Sequence, residues 1–150
     1  MTERDDGAAV VEFLLLSLLL LIPIVYLVLT LAQVQSAAFA AEAVARDASR
    51  AAVVGGVDAL QNGASFAEAE REARDRANSA VAITLADFRV DSQDAEVSLT
   101  CSASPCLTAG SEVQVSVAIE LSLPGIGDLI PGVAVQVGAS GSSPVDGYVP

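Results

Sequence analysis

A pair of cysteines five positions apart, Cys101 and Cys106, and a lone glutamate, Glu12, set where an apolar run begins, are the residues whose type and spacing most constrain the chemistry of this chain. The cysteines bracket Ser-Ala-Ser-Pro, and a disulfide closing this turn is the preferred reading. Two thiols cannot complete a structural zinc site unless subunits share ligands, and the spacing is not the Cys-x-x-Cys of redox-active pairs. His is absent, so neither a His base nor a His/Cys metal cage can be assembled from this chain alone. Glu68, Glu72 and Asp75 have a helical spacing that a metal could use, but without a second cluster a solvated charged face explains them better. Asp87, Asp91 and Asp94 show no arrangement that selects a reaction. The expectation is a protein that is not an enzyme and carries no metal or cofactor.

The element that holds Glu12 is the most informative part of the chain. Residues Phe13 to Ala32, FLLLSLLLLIPIVYLVLTLA, carry no charge. About twenty helical residues at 1.5 Å rise cover the roughly 30 Å hydrocarbon layer of a bilayer. Central Leu, Ile, Val and Phe each favour insertion by about 0.3 to 0.6 kcal/mol, which outweighs the costs of Ser17, Thr30 and Pro23. Pro23 is read as a kink, not a break. The segment could instead be the apolar region of a cleaved signal, with small-residue sites around Ser36 to Ala41, but such regions usually run about 7 to 15 residues behind a basic start. Here TERDD is net acidic. Only Arg4 and the terminal amine precede the span as positive groups, and the next basic residue is Arg46, which favours the N-terminus inside. A carboxylate at the depth of Glu12 is costly unless paired; alternatively it marks the membrane interface.

A charged start ending in Gly7, then Ala8-Ala9-Val10-Val11-Glu12-Phe13, resembles the type IV pilin superfamily. The resemblance implies that a prepilin peptidase cuts on the cytoplasmic side between Gly7 and Ala8, and that Glu12 takes the position of the fifth mature residue. The new amine of Ala8, on the same or an adjacent subunit, is then a partner for Glu12, with Phe13 beside it in the assembly element. Such a pair about 4 Å apart gains roughly 4 kcal/mol at an effective dielectric near 20, before desolvation is set against it. Within the superfamily, GAAVVEF, LLLLIPIVYLVLTLAQVQ and AAEAVARDASRAAVV are similar to the TadE-like proteins of tight-adherence (Flp) pilus systems. That likeness covers about the first 54 residues well and the remainder in outline. It implies a minor pilin or pseudopilin that supports adhesion, biofilm formation or secretion. Its expected partners are membrane lipid, the prepilin peptidase, pilins and the platform proteins of the assembly machinery. Two departures bear on cleavage: the leader is acidic where such leaders are usually more basic, and the chain has no Lys.

The remaining sequence predicts an α+β fold. Gln33 to Val54 is rich in helix formers and meets Gly55-Gly56, so the first helix is expected over residues 8–54. On it Ala38, Ala41, Ala45, Ala48 and Ala52 form a stripe of small side chains, either an assembly face or a contact with the protein's own later helix. After a linker at 55–64, Ser65 with Glu68 matches a capping box, and FAEAEREARDRANSAVAITLA reads as a second helix. A period of two then marks three strands: Val97, Leu99 and Cys101; Val113 to Leu121; Val133, Val135 and Val137. They predict a small antiparallel sheet covered by the second helix. LPGIGDLIPG is a loop and the end, 140–150, a loose tail. This gives a leader at 1–7, the long helix, the linker, a small extracytoplasmic domain at 65–139 and the tail.

The formal net charge of -12 would repel phosphate backbones, so nucleic acid is not an expected partner. Aromatics at 4% leave no large aromatic-lined site. The sequence therefore favours a structural role in pilus assembly, with an unprocessed, membrane-anchored extracytoplasmic binding module as the alternative. No nucleotide-binding motif is present, so a filament motor would be a separate protein.

Overall fold

The computed structural model of the chain describes residues 3–122 and 134–147. Its architecture is the expected α+β one: α1 (Glu3–Gln61), α2 (Phe66–Asp87), then β1 (Ala95–Cys101), β2 (Glu112–Ser122) and β3 (Ala134–Pro144). The three strands form one antiparallel sheet in the order β1-β2-β3. By compactness the chain divides into Met1–Gln33 and Val34–Pro150.

In the first unit α1 is apolar and bare. Its large apolar side chains from Val10 to Leu31 are exposed, Phe13 at 69% and Val25 still at 48%, with Tyr26 half-buried among them. The helix is long and apolar enough to cross a membrane, and none of its most apolar stretch is buried. Pro23 lies inside the helix without ending it.

The second unit is a small head with its core between a layer of two helices and the sheet. On α2 the buried residues are Ala69, Ala73, Ala77, Val81 and Leu85, one every four positions, so a single narrow stripe faces inward. The charged residues between them stay outside, as expected, where Arg74 pairs with Glu70 at 2.6 Å and Arg76 with Glu72 at 2.7 Å. Each pair places Glu four residues before Arg, the favourable orientation on a helix surface. On α1 the stripe Ala41, Ala45, Ala48 and Ala52 is completely buried, and Ala40, Val44 and Ser49 join it. Of the two readings of that stripe, the structure supports contact within the protein; these four alanines are not available to a partner. Thr84 reaches Asp47 at 3.5 Å, and Ala73 lies beside Gly56, so the two helices run antiparallel.

The sheet turns odd-numbered residues inward. Val113, Val115, Val117 and Ile119 of β2 are buried, and their partners across the ladder are Cys101, Leu99, Val97 and Ala95 on one side and Ser143, Gly141, Ala139 and Val137 on the other. Along β3 the inward side chains shrink from Val135 and Val137 to Ala139 and then to Gly141. The reason lies on α1. A Cβ at Gly141 would sit 2.5 Å from the carbonyl carbon and oxygen of Ala45 and 2.6 Å from the amide nitrogen of Arg46. Helix and strand backbones therefore meet with nothing between them. The cover expected from α2 alone is thus shared with α1.

α1 begins at Glu3, inside the expected leader at 1–7, because residues 3–8 contain no proline to break a helix, and three further features depart from expectation. First, α1 continues through Gly55-Gly56 to Gln61, and the expected linker at 55–64 contracts to residues 62–65. Helical glycines cost about 1 kcal/mol each, and packing supplies the compensation. A Cβ at Gly55 would run into the Arg76 side chain, and one at Gly56 into Leu107. The true stop is Gly63, at φ 88, where Ala64 N–H bonds the Ala59 carbonyl and Gly63 N–H the Leu60 carbonyl, both at 3.0 Å. Second, residues 140–144 belong to β3, and Val145 beyond it is buried, so the expected tail at 140–150 is structured as far as Val145; residues 148–150 lie outside the described residues. Third, a 3-10 turn at Ser92–Asp94 precedes β1, capped by the Asp91 side chain, which accepts from Gln93 N–H at 3.0 Å. Val133 and the loop LPGIGDLIPG lie outside the described residues.

Candidate functional site

The residues expected to be processed and to assemble all lie in the first turns of α1. Gly7 is already helical, so the backbone is continuous from the leader into the apolar run. Ala8 and Glu12 are four residues apart and stack one above the other on the same face of the helix. Glu12 and Phe13 are both exposed. Among the described residues the ion pairs are made by Arg46, Arg74 and Arg76, and none involves Glu12. This places one carboxylate at the head of a stretch of bare apolar side chains. Chemically, such a carboxylate can accept a cation or a hydrogen-bond donor from outside the helix, and in an apolar surrounding that pairing would offset the cost of its charge.

The cysteines come together within the second unit. Cys101, the last residue of β1, and Cys106 are paired with Cα atoms 5.5 Å apart, a separation at which a disulfide closes without backbone movement. Cys106 and the following Leu107 are buried.

The remaining sequence candidates do not form a site. Glu68 is committed to the cap of α2: its carboxylate accepts from the Ser65 N–H at 2.9 Å and the Ser65 hydroxyl at 2.7 Å, while the Ser65 hydroxyl accepts from Glu68 N–H at 3.4 Å. These bonds, led by the one from the Ser65 hydroxyl, hold the Glu68 carboxyl below its ordinary value. Glu72 pairs with Arg76, whose guanidinium is correspondingly pushed above its ordinary value, first by that hydrogen bond and then by the Glu72 charge. Among the described residues no cluster of three His, Cys, Asp or Glu could hold a metal. Asp87, Asp91 and Asp94 are exposed around the turn after α2. On the outer face of the sheet Ser98, Ser116 and Ser140 align across all three strands and floor an open dish beside Glu96, Ala118 and Gly138.

Sequence reasoning missed the seat of Leu107 and the close approach at Gly141. A signal for the first exists: Gly56 continues the Ala41, Ala45, Ala48, Ala52 stripe at the same helical spacing, which marks it as a packing glycine. For the second, the period-two pattern of Val135, Val137 and Ala139 runs on to Gly141, but the shrinking side chains disguise it.

The chain matches no protein-family model, no curated protein and no solved structure.

Proposed function

We propose that this protein is a TadE-like minor pilin or pseudopilin that takes part in assembling a tight-adherence (Flp) pilus and so supports adhesion or secretion. The observation that carries the reading is the register of Gly7 and Glu12 at the head of an exposed apolar helix that passes without interruption into the core of a small α+β head. In this reading the N-terminus is cytoplasmic and the head extracytoplasmic. The prepilin peptidase cuts between Gly7 and Ala8, and the freed amine of Ala8 on the same or a neighbouring subunit offsets the cost of bringing Glu12 into lipid. Phe13 and the bare Leu-rich face then pack beside pilin helices. Because the alanine stripe on α1 is consumed by the head, assembly contacts fall to the exposed segment between Val10 and Leu31.

Glu12→Gln tests the pairing, since it keeps size and insertion while removing the charge. Cleavage should stay largely intact, whereas cross-linking to pilin partners and pilus-dependent adhesion should fall. Normal cross-linking and adhesion in a variant shown to be cleaved would make Glu12 an interface marker and remove the pairing mechanism.

A further inference from the structure

We propose that the Cys101–Cys106 bond is a latch set on reaching an oxidising compartment, and that it works by seating Leu107 as a plug between the ends of α1 and α2. Leu107 has φ 68, in the left-handed region that a branched side chain adopts only when its surroundings compel it. The residue before it, Cys106, is the covalent anchor. The side chain of Leu107 is 2% exposed and occupies a notch that exists only because residue 56 is glycine. A Cβ there would strike Leu107 and come within 3.2 Å of the Ala73 Cβ.

The loop has no other large apolar side chain to bury. Between Cys101 and Glu112 the residues other than Cys106 and Leu107 are Ser, Ala, Pro, Thr and Gly. Its polar bonds tie it to the end of the chain: Gly110 N–H donates to the Val145 carbonyl at 2.9 Å, and Val145 N–H to the Ser111 carbonyl at 2.8 Å. The loop between β1 and β2 therefore meets α1 at Gly56, shares the core with Ala73 of α2 and bonds the segment after β3. With the disulfide open, Leu107 is free to return to ordinary backbone geometry, which withdraws it from the notch and loosens that end of the head.

The chemistry is thiol–disulfide exchange. The thiols of Cys101 and Cys106 give up two protons and two electrons to a disulfide-bearing oxidant, which leaves as a dithiol while the new S–S bond forms. In a reducing compartment the pair stays open, so the head closes only after export. This inference requires that the head meet such an oxidant; it does not require that the protein be a pilin.

Hydrogen exchange on the full chain in detergent micelles provides the test, comparing the oxidised protein, the same protein after phosphine reduction, and oxidised Leu107→Ala. Reduction and Leu107→Ala should each accelerate exchange over residues 52–61 and 69–77 by about tenfold or more, with residues 113–121 of the central strand changing by less than about twofold. Unchanged exchange at the helix ends on reduction would overturn the latch, as would equal acceleration throughout the head, which would make the bond a global staple. Unchanged exchange in Leu107→Ala would equally overturn it, since Leu107 would then not be the plug.

Discussion

Gly141 is the residue on which the head's packing turns most sharply. Adding one methyl there drives a side chain into the backbone of α1 at Ala45 and Arg46, neither of which can rotate away. Gly141→Ala should destabilise the head by about 1 to 3 kcal/mol in urea unfolding, the usual range for overpacking. Gly147→Ala, where a Cβ meets nothing within 4 Å, should stay within about 0.5 kcal/mol of the parent. Equal stability of the two variants would contradict the backbone contact. Individual glycines were the least legible feature of the sequence, because Gly55-Gly56 as a helix stop and Gly55-Gly56 as a packing notch have the same local pattern. What separates the two cases is a partner, Leu107, lying 51 positions on from Gly56 in the chain.

Elements were far more legible, because they follow from local rules. The capping box at Ser65 and Glu68 marked the start of α2 to the residue, and period-two apolar positions marked β1 and β2. The end of β3 was hidden by its small and polar composition, and the end of α1 by the glycine pair. The cap also yields a pH dependence. The folded Glu68 carboxyl lies below its ordinary value, so its contribution is present above the unfolded value and is lost as pH falls through the folded one. Hydrogen exchange in the first turn of α2 should therefore speed up, relative to the rest of the helix, as pH is lowered through the acidic carboxylate range. In Glu68→Gln, whose side chain can still reach the Ser65 N–H, that relative acceleration should be absent. Persistence of the same profile in the variant would show that another group controls the fraying.

At the scale of the whole molecule, the head needs α1. Ala40, Ala41, Val44, Ala45, Ala48 and Ala52 form part of its core, so a fragment beginning at Val34 should fold in aqueous buffer with mixed helix and strand signals in circular dichroism. A fragment beginning at Gly56 lacks that cover and should give no cooperative unfolding transition; cooperative folding of the shorter fragment would show that α2 covers the sheet alone. That Phe13 to Ala32 is long and apolar enough to cross a membrane was plain in the sequence, because length and hydropathy suffice for that, whereas the sharing of α1 between an apolar segment and a buried core depends on long-range packing that no local pattern marks. The account as a whole rests on processing at the start of that helix. The direct measurement is the N-terminal residue of the membrane-extracted protein, determined by mass spectrometry from cells with and without a prepilin peptidase. The account predicts a chain beginning at Ala8 when the peptidase is present and retaining Gly7 when it is absent; a chain that keeps its first seven residues in both would contradict it and leave an unprocessed membrane anchor.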